Sequence, residues 1–172
     1  SGIVALTLGA RVARYTATDQ AYVLKILKQN IAENLDAVLP KKHKAGKKRV
    51  QSAPAGQSPS TILTQTLDWE TDDVSSLDDV DLVVACDCIY NESLIEPLNT
   101  TCAAICRLRQ QDETCTKPTL CLIAQQLRSP DVFEAWLKSF HRLFTVWQVP
   151  DSLLSPGLRE GSGFVVHIGV VR

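Results

Sequence analysis

Residues 81–89, DLVVACDCI, place apolar side chains on both faces of an extended chain. Successive strand residues point to opposite sides, so Leu82, Val84, Cys86 and Cys88 share one face and Val83, Ala85 and Asp87 the other. A strand that is apolar on both faces needs cover on both, the situation of a parallel strand flanked by helices. That requirement points to an α/β architecture, in which short β-rich runs alternate with amphipathic helices.

The rest of the chain follows that alternation. Residues 1–9, SGIVALTLG, read as a short apolar helix ending in a glycine, and Val12 to Thr18 as a strand. Asp19 then opens a helix whose Leu24, Leu27, Ile31 and Leu35 recur at spacings of three and four, giving one apolar stripe. Thr61 to Leu67 reads as a second strand, and a short helix capped by Ser75 or Ser76 is expected in the acidic stretch after it. Beyond the strand at 81–89, a helix with Pro97 in its first turn carries Leu98, Cys102 and Ile105. Thr119 to Ala124 is another buried strand. Ser129-Pro130-Asp131 starts a helix that buries Phe133, Trp136, Leu137 and Phe140. The runs Phe144 to Val149 and Phe164 to Val171 have no room for a helix between them and are expected to pair antiparallel. The order is that of a doubly wound α/β sheet with an antiparallel pair at its end.

One segment breaks the pattern. Residues 40–60, PKKHKAGKKRVQSAPAGQSPS, have too few apolar groups to offset the entropy of ordering and read as a surface insertion within one domain spanning residues 1–172. Lys41 to Arg49 holds six of the 18 basic residues, leaving twelve against 19 acidic ones elsewhere. A basic loop on an acidic body could touch RNA, but a solvated loop insertion is the favoured reading. The six cysteines form no Cys-x-x-Cys pair and the three histidines are scattered, so no metal is expected. Reduced thiols packed as small hydrophobes suit a cytosolic or nuclear protein. No apolar run reaches the roughly 20 residues of a membrane span. The chain opens in mid-pattern at Ser1 and contains no Met, so it reads as a fragment.

Ligands of open α/β sheets bind outside the carboxyl ends of the strands. Asp19 ends the first strand, Asp68-Trp69 the second, and Asp87 the third, with Tyr90 three residues on. Singly these are ordinary: such an Asp is usually a helix cap and such a Trp is usually core. Together they supply an acid for ribose hydroxyls, an aromatic for a nucleobase, and a carboxylate with a phenol beyond. That set suits a nucleoside cofactor.

Asp87-Cys88-Ile89-Tyr90, in the context DLVVACDCIYNESLIEPL, resembles the Asp-x-x-Tyr signature of the seven-strand lysine methyltransferases of methyltransferase family 16. SGIVALTLG, TATDQAYVLKILKQNIAEN and TLDW are similar to the same family in the same order, so the likeness covers nearly all the chain outside the Lys-rich insertion. Within the family, the fungal enzymes of ribosomal protein look nearest. The resemblance implies a Rossmann-like class I methyltransferase sheet and the cofactor S-adenosyl-L-methionine. It also implies a protein acceptor with an accessible lysine, such as a ribosomal protein, in the cytoplasm or the nucleus. It assigns Asp19 to the ribose hydroxyls, Asp68 and Trp69 to the border of the adenine, and Cys86 to the wall of the cofactor pocket. Asp87 and Tyr90 fall at the junction of sulfonium and acceptor.

The chain departs from the family at its start. The first strand and most of the glycine-rich loop are missing, and only Gly2 matches, as the loop glycine that lets the helix pack closely on the sheet. In the family that strand is central, between those ending at Asp19 and Asp87. The chain alone is therefore expected to bind the cofactor weakly or not at all. Two alternatives stand beside the lysine reading: a degenerate remnant serving as a binding module, and a methyltransferase of RNA or a small molecule. Asp87-Cys88-Ile89-Tyr90 is not the Asn/Asp-Pro-Pro-Tyr pattern of base-nitrogen acceptors. The final antiparallel pair and the Asp-x-x-Tyr motif argue against a nicotinamide-dependent reductase.

Overall fold

The computed structural model describes residues 2–38, 61–111 and 115–172. The insertion expected over residues 40–60, with Lys41 to Arg49, lies outside the described residues. The chain divides into two compact units, Ser1–Asp68 and Trp69–Arg172. Its elements run α1 (Ile3–Gly9), β1 (Arg14–Asp19), α2 (Ala21–Val38), β2 (Thr61–Thr66), β3 (Leu82–Cys86), α3 (Ile95–Leu108), β4 (Leu120–Gln126), α4 (Pro130–Leu143), β5 (Phe144–Gln148) and β6 (Phe164–Val171). No described helix is long and apolar enough to cross a membrane.

In the first unit β1 and β2 pair parallel, from Arg14 opposite Thr61 to Asp19 opposite Thr66. The helical stripe falls where its spacing placed it. Leu27 and Ile31 are buried with Ala5, Leu6 and Ala17, and Leu24 and Leu35 pack on that cluster. Gly2 has φ 82°, a left-handed conformation that suits glycine. A Cβ there would stand 3.0 Å from Ile31 Cγ1 and 3.4 Å from Leu27 Cδ1. Among the described residues Gly2 serves the packing of α1 on α2, and Gly9 that of α1 on β2, where a Cβ would come within 2.6 Å of Ile62 Cδ1.

The second unit holds a four-stranded sheet in the order β3-β4-β6-β5. β3 and β4 are parallel, and β6 runs antiparallel to both β4 and β5. The antiparallel final pair is as expected, with β6 inserted between its neighbours. α3 and α4 pack together on the face that carries Ala85, Cys121 and Ile123, enclosing Trp136, Phe140 and Phe144. Pro130 occupies the first turn of α4, as its sequence signal indicated. The helices are also tied by a buried polar set: Trp136 Nε1 donates to Asn99 Oδ1 at 3.0 Å, and Asn99 Nδ2 to Ser139 Oγ at 3.0 Å. Cys102, Cys106 and Cys121 are buried in this core as free thiols.

Two expectations fail here. The short helix after Thr61–Leu67 does not form, and residues 69–81 run as turns and bends. Within residues 70–79 only Val74 and Leu77 are apolar, too few for a stripe, and Asp73 accepts the Ser75 N–H at 3.0 Å in a local turn. Secondly, β3 lacks cover on both faces. Val83 and Ala85 pack on the core, but Leu82 is 43% exposed and Cys86 is exposed. Both helices of this unit lie on one side, and β3 is an edge strand of its sheet. The mixed sheet is that of an α/β Rossmann-like class I methyltransferase fold without its first strand.

Candidate active site

In the first unit the carboxyl ends of β1 and β2 bring Asp19 and Asp68 together through Gln20. The Asp19 carboxylate accepts the Gln20 N–H at 2.9 Å, and Gln20 Nε2 donates to Asp68 Oδ2 at 3.0 Å. The first helical bonds of α2 run from Val23 and Leu24 to the Gln20 carbonyl, so Gln20, not Asp19, is the capping residue. Asp19 and Asp68 are both half-buried at a strand end. Trp69 begins the second unit. It is half-buried against the core, and its carbonyl accepts from Thr101 Oγ1 at 3.3 Å.

In the second unit β3 ends at Cys86, and the chain turns out at Asp87, whose φ of 55° is the left-handed conformation that Asp tolerates better than most residues. The turn is clamped from β4. Gln125 is 3% exposed; its Oε1 accepts the Ile89 N–H at 3.0 Å, and its Nε2 donates to the Ile89 carbonyl at 2.9 Å and to Asp87 Oδ1 at 3.2 Å. The other Asp87 oxygen pairs with the Arg128 guanidinium. Ile89 is buried, and Asn91, not Asp87, caps the short helical turn that leads into α3, accepting the Ser93 N–H at 3.1 Å. Tyr90 is 64% exposed and packs into no core. Helix capping is thus left to Asn91, while Asp87 holds the turn through Gln125 and Arg128.

Two cysteines flank this carboxylate. Partial burial, reinforced by the neighbouring Asp87 charge, pushes the Cys86 thiol up. Burial pushes Cys88 up to about 11, with Cys102 and Cys86 adding to it. Both thiols are thereby held in their neutral, weakly nucleophilic form. Gln125 and Arg128 were not singled out from the sequence. The available signal was Gln125-Gln126 closing an otherwise apolar strand, followed by Arg128 just ahead of the α4 start.

A parallel β3–β4 pair extended by an antiparallel β6 is the arrangement of an α/β Rossmann-like class I methyltransferase fold. The chain belongs to the lysine methyltransferase family, whose model matches residues 1–131. Three curated proteins similar to it are each named ribosomal lysine N-methyltransferase 5. The protein of Vanderwaltozyma polyspora is 30% identical across 98% of this chain and 56% of its own length. That of Zygosaccharomyces rouxii is 32% identical across 80% and 46%, and that of Eremothecium gossypii 28% identical across 80% and 45%. The chain thus spans about half the length of the curated relatives it matches.

Proposed function

We propose that this chain carries the acceptor-side machinery of a protein-lysine methyltransferase whose substrate is a ribosomal protein in the cytoplasm. The observation behind the reading is the Asp87–Tyr90 turn: a carboxylate held at a sheet's carboxyl end by Gln125 and Arg128, with an exposed phenol three residues on. The shared name of the three relatives supports the ribosomal acceptor.

S-adenosylmethionine would supply a methyl group bonded to its sulfonium sulfur, released to a nucleophile as the C–S bond breaks. The family resemblance carries the proposed roles toward the cofactor's nucleoside half: Asp19 to accept from the ribose hydroxyls, Asp68 and Trp69 to border the adenine, and Cys86 to line the pocket. Of the glycine loop that serves the methionine half, the chain offers Gly2. A lysine ammonium has no free electron pair, so it must shed a proton and be held in line, which is largely an orientation problem. Asp87, fixed through Gln125 and Arg128, orients the amine and takes its proton. Tyr90 offers a hydroxyl and a π face to the cation. No metal or covalent protein intermediate is needed. Because the edge of β3 is open and only Gly2 of the loop is present, the 172-residue chain by itself is proposed to hold the cofactor weakly. The same feature favours a second reading, a non-catalytic module that folds and binds protein but no cofactor.

The test is methyl transfer to washed ribosomes, read by mass spectrometry of lysine mass shifts, with a longer chain that includes a strand and glycine turn ahead of Gly2. Mono-, di- or trimethylation of one ribosomal lysine that vanishes in Asp87→Asn supports the proposal. Methylated RNA with unmodified protein would move the acceptor, and no transfer at all would favour the binding module.

A further inference from the structure

The second unit contains a groove of about 650 Å³ that is distinct from the Asp87 turn. It lies among the end of β4, the end of β5, the start of β6 and the two helical turns between β5 and β6, Asp151–Leu153 and Pro156–Leu158. Its apolar lining includes Leu127, Val149, Leu154, Leu158 and Phe164, of which Leu127 is 48% and Phe164 40% exposed. Its charged lining consists of Asp151 and Glu160, both acids.

The groove is built, not left over from a loose loop. Both Asp151 carboxylate oxygens accept the Glu160 N–H, at 3.1 and 3.2 Å. Arg159 Nε donates to the Leu154 carbonyl at 3.0 Å, and the Leu127 N–H to the Gly163 carbonyl at 2.8 Å. These bonds staple the rim from three sides. One end of the rim, Leu127, is followed directly by Arg128, whose guanidinium holds Asp87. The groove and Asp87 therefore share the carboxyl end of β4.

We infer that this groove holds the segment of the acceptor protein that flanks the target lysine: an extended peptide with one apolar side chain against Leu127 and Phe164 and a basic side chain facing Asp151 and Glu160. The groove's acidic wall disfavours nucleic acid, whose binding rests on neutralising phosphates with Lys and Arg. A basic peptide is the complementary occupant. The inference rests on the protein-lysine reading and adds to it where the specificity beyond the lysine lies.

The experiment uses three fluorescein-labelled nonapeptides around a central lysine. The first carries a leucine and two arginines, the second replaces the leucine by serine, and the third replaces the arginines by glutamates. Fluorescence anisotropy against the intact chain is expected to show salt-sensitive binding of the first peptide only. Asp151→Asn together with Glu160→Gln should weaken it about tenfold, the size of two exposed ion pairs. Each change keeps one side-chain oxygen, so the Glu160 N–H retains an acceptor at position 151 and the turn stays stapled. A second variant, Phe164→Ser, should remove the preference for leucine over serine. Equal binding of all three peptides, an unchanged affinity in the double variant, or tighter binding of a single-stranded RNA probe would overturn the inference. Binding needs no methyl donor, so the two readings fail separately. Selective peptide binding without methyl transfer leaves the groove and removes the enzyme. Methyl transfer unaltered in the double variant leaves the enzyme and removes the groove.

Discussion

Gln125 is the residue on which the geometry of the Asp87 turn depends, and its removal has a calculable consequence. Leucine in its place has nearly the same volume, so Gln125→Leu isolates the polar contribution from a packing defect. The substitution leaves the N–H and the carbonyl of buried Ile89 without partners and frees one oxygen of Asp87. An unsatisfied buried group costs about 1–3 kcal/mol. Two such groups, with some relief from water entering a turn near the surface, give a destabilisation of about 2–4 kcal/mol. The three tryptophans, Trp69, Trp136 and Trp147, all belong to the second unit, so tryptophan fluorescence in a urea titration reports that unit. Amide exchange across residues 86–91 reads the turn itself and should accelerate before global unfolding does. Gln126→Leu, at the half-exposed neighbour whose side chain meets Arg128, should stay within about 0.5 kcal/mol of the parent. If Gln125→Leu matched that control in both stability and exchange, Gln125 would not be the clamp.

Other changes separate function from fold. Asp87→Asn keeps a residue that tolerates φ 55° and loses an ion pair exposed to solvent, so stability should move by less than about 1 kcal/mol while methyl transfer is lost; Asp87→Ala should cost more stability, because alanine does not favour that conformation. Gly9→Ala drives a methyl group into Ile62 and should destabilise the first unit by about 1–3 kcal/mol, with recovery in Ile62→Ala, both read by circular dichroism. His167 is buried, its Nδ1 has no hydrogen-bond partner among the described residues, and burial, with His141 as a second cause, holds it below its ordinary value of 6.5. The unfolded chain then takes up the proton first as pH falls, so this contribution to stability is complete above 6.5 and is lost as pH drops through the lower folded value. Urea midpoints should decline from pH 7.5 to 5.5, and His167→Gln should flatten that slope; an unchanged slope would contradict it.

Much of the fold was legible because periodicity is local. The stripe of α2, the proline start of α4 and the two closing strands all follow from residues within a few positions of one another. The cover of β3 was not, because which face a helix takes depends on topology and not on the strand's own composition. The short helix after β2 was read from a capping serine, but Asp73 and too few apolar residues left it as a turn. At the site, Asp87 and Tyr90 stood out by their spacing. Gln125 lies 38 residues from Asp87, and their contact exists only because β3 and β4 pair in the register that sets Cys86 opposite Ala124. Glycine told its position but not its partner: Gly2 meets α2, and Gly9 meets the sheet.

Calorimetric titration of S-adenosylmethionine bears most directly on the cofactor, using the 172-residue chain, a longer chain with a strand and glycine turn ahead of Gly2, and Asp19→Ala in the latter. The expected result is saturable binding by the longer chain, at least tenfold weaker binding by the shorter one, and loss of binding in Asp19→Ala. Absence of binding in both chains, or binding indifferent to Asp19, would contradict the assignment of these strand ends to the cofactor.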